Sequence, residues 1–176
     1  ENLYLMPSSP VLSEMEKELE SRYKIYKMRD ALEKLSEEYD RVYIDTPPNF
    51  NFYSKSALIA ADSVLVPFDC DSFARQSLYS LMDNIAELQE DHNPDLEVEG
   101  IVINQFNSQA RLPGELVAEL EEEGYPVLGT YLNTSVKMKE SHRAHRPLID
   151  LAPSHKLTGQ YLDLHAELEK AISRAA

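Results

Sequence analysis

Short apolar runs alternate with longer amphipathic stretches along the whole chain, and this alternation constrains the fold more than any other feature. The runs at 2–6, 41–45, 63–67 and 96–104 read as buried strands, and 127–132 as a short strand or extended segment. Between them, Met15, Leu19, Ile25, Met28, Leu32 and Leu35 recur at mostly helical spacing and predict one long surface helix over 13–39. Their spacing does not hold a strict heptad, which argues against a coiled coil. Further helices are expected over 54–61, 72–90, 112–123 (closed by Gly124), 135–144 and 156–174, with a loop over 147–152. Strands alternating with helices build βαβ units. The expected fold is α/β, a mostly parallel β-sheet with helices on both faces, forming a single domain over 1–176.

Composition narrows the function classes. Hydrophobic residues are 43% and charged residues 27%, ordinary for a folded globular domain. No apolar run is long enough to span a bilayer, and no basic-then-apolar leader opens the sequence, so a cytoplasmic location is expected. The single cysteine, Cys70, has no cysteine to pair with inside the chain and suits a reducing compartment. It reads as a small packed residue rather than a nucleophile. The formal charge of -14 opposes whole-surface attraction to nucleic acid, so DNA contact would need a local basic patch or a groove built by a dimer.

In parallel sheets ligands bind at the carboxyl ends of the strands, so polar residues there are the first candidates. The sharpest is in Tyr39-Asp40-Arg41-Val42-Tyr43-Ile44-Asp45-Thr46-Pro47-Pro48. An apolar run delivers Asp45 to its end, where a carboxylate can hold magnesium through water beside nucleotide phosphates. The plainer reading is an aspartate that caps the following turn. The prolines break the run and stiffen its exit. Asn104 closes another run; its amide offers a donor and an acceptor, suited to a purine edge, although asparagine also ends strands as a turn former. Lys137, Lys139, His142, Arg143, His145 and Arg146 cluster in an otherwise acidic chain and either neutralise phosphates or form a solvated helix face paired with Glu140. His142 and His145 lack an evident third ligand, which leaves metal binding there poorly supported.

The Asp45 string resembles the Walker B and switch II segment of the ParA/MinD/Soj family of deviant-Walker P-loop ATPases. The resemblance continues through Ala60-Ala61-Asp62-Ser63-Val64-Leu65-Val66-Pro67, Phe73-Ala74-Arg75-Gln76-Ser77-Leu78, Val98-Glu99-Gly100-Ile101-Val102-Ile103-Asn104, and Val136 through Leu148. It implies ATP and Mg2+ as cofactors, with Asp45 as the catalytic magnesium-site residue, Thr46 beside it, and Asn104 on adenine. It implies an ATP-dependent homodimer that binds nonspecific DNA on the nucleoid, through Arg111, Lys137, Lys139 and Arg143 as candidates. A ParB-like adaptor would stimulate hydrolysis as DNA or a large protein cargo, such as a plasmid, chromosome, chemotaxis cluster or carboxysome, is positioned.

One part of the family pattern is not found. The five glycines, at 100, 114, 124, 129 and 159, include none followed by lysine, so no phosphate-cradling P-loop occurs here. The chain therefore resembles the C-terminal two-thirds of a ParA-like domain, and weak ATP binding is expected of it alone. Two other readings stand beside this one. A non-enzymatic dimerisation or regulatory module would carry the Walker B string unused. A MinD-like membrane ATPase would need a basic terminal amphipathic helix, whereas Leu162, Leu164, Leu168 and Ile172 here alternate with Asp163, Glu167 and Glu169, so membrane binding is disfavoured.

Overall fold

The structure, a computed structural model, describes residues 3–70 and 74–175, with the backbone alone over 171–175. Asn2, Ser72 and Phe73, and the side chain of Ile172, lie outside the described residues. The molecule divides into two compact units, one from Glu1–Asp62 and Asn84–Leu96, the other from Ser63–Asp83 and Glu97–Ala176.

The first unit is helical. Instead of one long helix over 13–39 there are two, α1 (Val11–Ser21) and α2 (Lys27–Leu35). The break is at Tyr23, whose φ of 54° is left-handed and cannot continue a helix. Both helices pack against α3 (Phe52–Ala60). Helix α3 starts where the Asn51 side chain accepts hydrogen bonds from the Tyr53 and Ser54 amides at 3.1 and 3.2 Å. Asn93 donates to the Leu58 and Ala61 carbonyls at the other end of α3, both at 2.9 Å, satisfying acceptors that the helix leaves open. Ala57, Leu58 and Ile59 are buried.

Two expected strands are absent. Residues 3–6 and 41–45 join no β ladder. Apart from the half-buried Ile44, their apolar side chains stand in solvent, with Leu3 and Met6 94% exposed and Tyr43 82% exposed. A strand exists only where a neighbour accepts its backbone hydrogen bonds, and apolar alternation alone does not supply one.

The second unit holds the sheet. Strands β1 (Ser63–Asp69) and β2 (Glu97–Asn104) run parallel, in a register that sets Asp69 opposite Asn104. Helix α4 (Ala74–Asp91) begins in this unit and ends in the first. On the other side of β2 the extended residues 126–133 follow its course: Ile101 N–H reaches the Pro126 carbonyl at 2.8 Å, and Leu132 N–H reaches the Ile103 carbonyl at 2.8 Å. Gly100 is required there, because a Cβ would meet Leu128 Cγ at 2.6 Å. Helix α5 (Arg111–Glu122) buries Leu116, Val117 and Leu120 and ends at Gly124, whose φ of 84° suits a residue without a Cβ. Arg75 on α4 pairs with Glu119 and, at 2.7 Å, with Glu123, clasping α4 to α5.

Helix α6 (Val136–Ala144) leads to the four-residue α7 (Leu148–Leu151), a helical turn where a plain loop was expected. Pro147 precedes α7 and presets the backbone for its first turn, and Leu148 is buried. Helix α8 (Lys156–Ala175) lays Leu157, Leu164 and Leu168 against Val102, Leu132 and Leu148. Leu162, by contrast, is 53% exposed.

Glu167 fastens α8 to the extended segment by accepting the Gly129 N–H at 2.7 Å and the Thr130 N–H at 3.0 Å. Desolvation pushes its carboxyl pKa up, but the hydrogen bonds from Thr130 and Gly129 and the charge of Lys170 outweigh this and hold it below the ordinary 4.5. A depressed carboxyl stabilises the fold above its unfolded pKa and loses that contribution as pH falls through the folded one. Glu167→Gln should therefore cost about 1 kcal/mol near neutral pH. Urea denaturation should show the gap from wild type closing below about pH 4; a gap independent of pH would contradict this role.

Candidate functional site

The carboxyl end of β2 opens onto a cleft of about 530 Å³, contained within the second unit. Asn104 and Gln105 supply its floor at the end of β2, Asn133 and Thr134 one wall, Lys139 and His142 of α6 another, and Tyr161 of α8 a third. The cleft forms because β2 stops at Gln105, where φ is 50°, and because α6 starts on a capped turn: the Ser135 hydroxyl accepts the Lys137 N–H at 3.0 Å. Asn133 and Gln160 exchange hydrogen bonds across its edge, including Asn133 N–H to Gln160 Oε1 at 3.1 Å. Burial pushes the Tyr161 hydroxyl above its ordinary 10.0, so it remains an O–H at neutral pH.

The Asn104 amide is already engaged on one side. Its Nδ2 donates to Asp69 Oδ1 at 2.9 Å, and Gln105 Nε2 donates to Asp69 Oδ2 at 2.6 Å. The sequence singled out Asn104 as a strand-ending amide. Asp69 and Gln105 carried no signal in the sequence, because their meeting depends on the strand register and on the turn at Gln105.

Asp45 and Thr46 lie in the first unit, both exposed, on the irregular segment before the prolines. Among the described residues no group of three or more His, Cys, Asp or Glu side chains is assembled around a metal position. Asp45 offers a single exposed carboxylate there.

The four basic candidates are in the second unit. Arg111 opens α5 and pairs with Glu115 at 2.5 Å. Lys137 pairs with Glu140 at 2.6 Å. Lys139 and Arg143, one helical turn apart and both exposed, share a side of α6, and Lys139 also lines the cleft. The basic cluster and the cleft thus share α6.

A family model described as an AAA domain (AAA_31) matches residues 1–98. The chain is 34% identical over 172 residues to the chromosome partitioning protein ParA of Myxococcus xanthus, covering 96% of this chain and 60% of that protein. The chain belongs to the ParA/MinD-type P-loop ATPase family. Its fold is that of apo McdA from Cyanthece (TM-score 0.81, 20% identity, 96% of this chain and 67% of that one). The cobyrinic acid a,c-diamide synthase of Mycobacterium smegmatis, solved with ADP and magnesium, shares the fold more distantly (TM-score 0.69, 24% identity, 81% of this chain and 64% of that one). The α/β fold with parallel strands expected from the sequence is that of the family. The chain spans 60% of the length of the Myxococcus ParA relative. Among the described residues no helix is long and apolar enough to cross a membrane, and the apolar face of α8 is turned onto β2.

Proposed function

We propose that this chain is the base-binding and surface-binding part of a ParA-type positioning ATPase, corresponding to the C-terminal two-thirds of its nucleotide-binding domain. The cleft at the end of β2 carries this reading. It has the volume for a purine, an amide in its floor, and a place at the carboxyl end of a parallel strand, where such folds take nucleotides. Asn104 meets the adenine edge, and Tyr161 supplies an O–H to the wall.

Mg-ATP supplies the phosphoryl group whose cleavage drives the cycle. Asp45 would hold a magnesium ion through its water, with Thr46 beside it, and the phosphate-cradling backbone would come from a Gly-rich segment that this sequence does not contain. The solvent-exposed apolar side chains of 3–6 and 41–45 support a further strand covering them in the whole domain. The working state is an ATP-dependent homodimer that binds nonspecific DNA on the nucleoid and is released when an adaptor protein stimulates hydrolysis. The cargo is DNA or a large protein assembly, in keeping with the partitioning role named for the Myxococcus relative.

The DNA surface is α6, with Arg111 at the start of α5 as a further candidate. Because the chain as a whole is acidic, binding there rests on a few phosphate contacts. Replacing Lys137, Lys139 and Arg143 together by Glu should weaken DNA binding and flatten the plot of log affinity against log salt, by about 0.9 for each phosphate no longer neutralised. An unaltered slope in a fluorescence-anisotropy titration would place the DNA surface elsewhere.

A further inference from the structure

Residues 133–136 form a partition. The same segment lines the cleft at the end of β2 on one side and a separate hollow of about 370 Å³ on the other. With open space on both faces, close packing does not set its position, and hydrogen bonds from its neighbours must. They come from two places. Just past the end of β2, the Phe106 carbonyl accepts the Thr134 N–H at 3.3 Å and the Asn133 Nδ2 at 3.2 Å. On α8, Gln160 takes hold of Asn133 twice: its Oε1 accepts the Asn133 backbone N–H at 3.1 Å, and its Nε2 donates to Asn133 Oδ1.

The polarity of this relay is fixed at both ends by backbone groups. A backbone N–H only donates, so Gln160 must turn its oxygen to it and its NH2 to the Asn133 side chain. A backbone carbonyl only accepts, so Asn133 must turn its NH2 to Phe106 and its oxygen to Gln160. Turning over either amide sets donor against donor at one bond and acceptor against acceptor at another. Phe106, Asn133 and Gln160 therefore lock in one arrangement that runs from β2 through the partition to α8. Gln160 lines the hollow and not the cleft, so it acts on an occupant of the cleft only through Asn133.

We infer that Gln160 is the positioning residue of the base cleft: from behind the partition it fixes the distance between the Asn133–Thr134 wall and the Asn104 floor at which a purine is gripped. The inference rests on the reading of this cleft as a base site. Without Gln160 the wall hangs on Phe106 alone, the cleft varies in width, and a base that binds must bear the entropic cost of ordering it.

Adenosine tests this on the intact chain, because it needs no phosphate cradle. Its binding is followed by ligand-observed saturation-transfer NMR to wild type, to Gln160→Met, which keeps the side chain's length but neither hydrogen bond, and to Glu167→Gln, which loosens the fastening of α8 about two turns further on. Adenosine should bind about tenfold more weakly to Gln160→Met, the scale of one or two lost hydrogen bonds, and as tightly as wild type to Glu167→Gln. Without ligand, amide exchange at Thr134 should quicken in Gln160→Met, although its own acceptor on Phe106 is untouched. Equal weakening in both variants gives Gln160 a merely structural part in α8 and overturns the inference. Unchanged affinity, or unchanged exchange at Thr134, in Gln160→Met also overturns it and leaves the base cleft standing. Gln160→Glu keeps the acceptor for the Asn133 N–H but sets a carboxylate oxygen against Asn133 Oδ1; it is the second variant if the first does not fold, with the same losses expected. No adenosine binding to wild type overturns the cleft reading and this inference with it.

Discussion

ATP turnover should fall about 100-fold or more when Asp45 is replaced by alanine in a protein that joins this sequence to a Gly-rich phosphate-binding loop. The effect follows from what Asp45 is asked to hold. A magnesium ion beside nucleotide phosphates keeps most of its shell as water and phosphate oxygen, and one or two carboxylates fix where that shell sits. Removing the carboxylate leaves the metal free to shift, and phosphoryl transfer depends chiefly on positioning and charge. Asp45 is exposed and lies on an irregular segment, so shortening its side chain opens no cavity. Circular dichroism and the urea midpoint should therefore be unchanged while hydrolysis is lost. A variant that hydrolyses ATP at the wild-type rate would refute the Walker B role, and the Asp-Thr-Pro-Pro string would then read as a turn cap.

The second large effect is on stability. Leu157, at the first turn of α8, is 3% exposed and packs in the cluster of Val102, Leu132, Leu148 and Leu164. Leu157→Ala removes buried methyl groups and leaves a cavity that α8 and β2 can close only partly, at a cost of about 3 kcal/mol. A small domain has only about 5–15 kcal/mol in total, so the urea midpoint should drop sharply. The same measurement separates two readings of the terminal helix. A helix whose apolar side is kept for a lipid surface contributes little to stability in water, and Leu157→Ala would leave the midpoint where it was. A helix that covers the sheet cannot be truncated at this position without a penalty.

Much of this architecture is written in the linear pattern. The apolar runs 63–67 and 96–104 became β1 and β2, because near-continuous apolar segments flanked by amphipathic helices are what a covered parallel sheet needs. Helix α5 ends at Gly124 for a local reason visible in the sequence, the tolerance of glycine for positive φ. The helical spacing after Ser13 was also visible, but the left-handed turn at Tyr23 that splits it was not, since nothing in tyrosine favours that conformation.

The run ending at Asp45 shows the limit of pattern. Its residues satisfy every local criterion for a strand, yet strand character is a property of a pair, and hydrogen-bond partners are supplied by another part of the fold. The candidate site divides in the same way. Asn104 could be picked out by type and position alone. That Asp69 faces it, that Gln105 joins the same carboxylate, and that Lys139 and Tyr161 enclose the same cleft became visible only through strand register and helix packing. The sequence by itself carried the α/β class, because periodicity is local, and its motifs carried the resemblance that pointed to the family; Asp45 and Asn104 stood out there as polar residues at the ends of apolar runs. The tertiary structure alone decided which groups meet, because a hydrogen bond between residues 35 apart in the chain depends on the register of two strands and on nothing either segment carries alone.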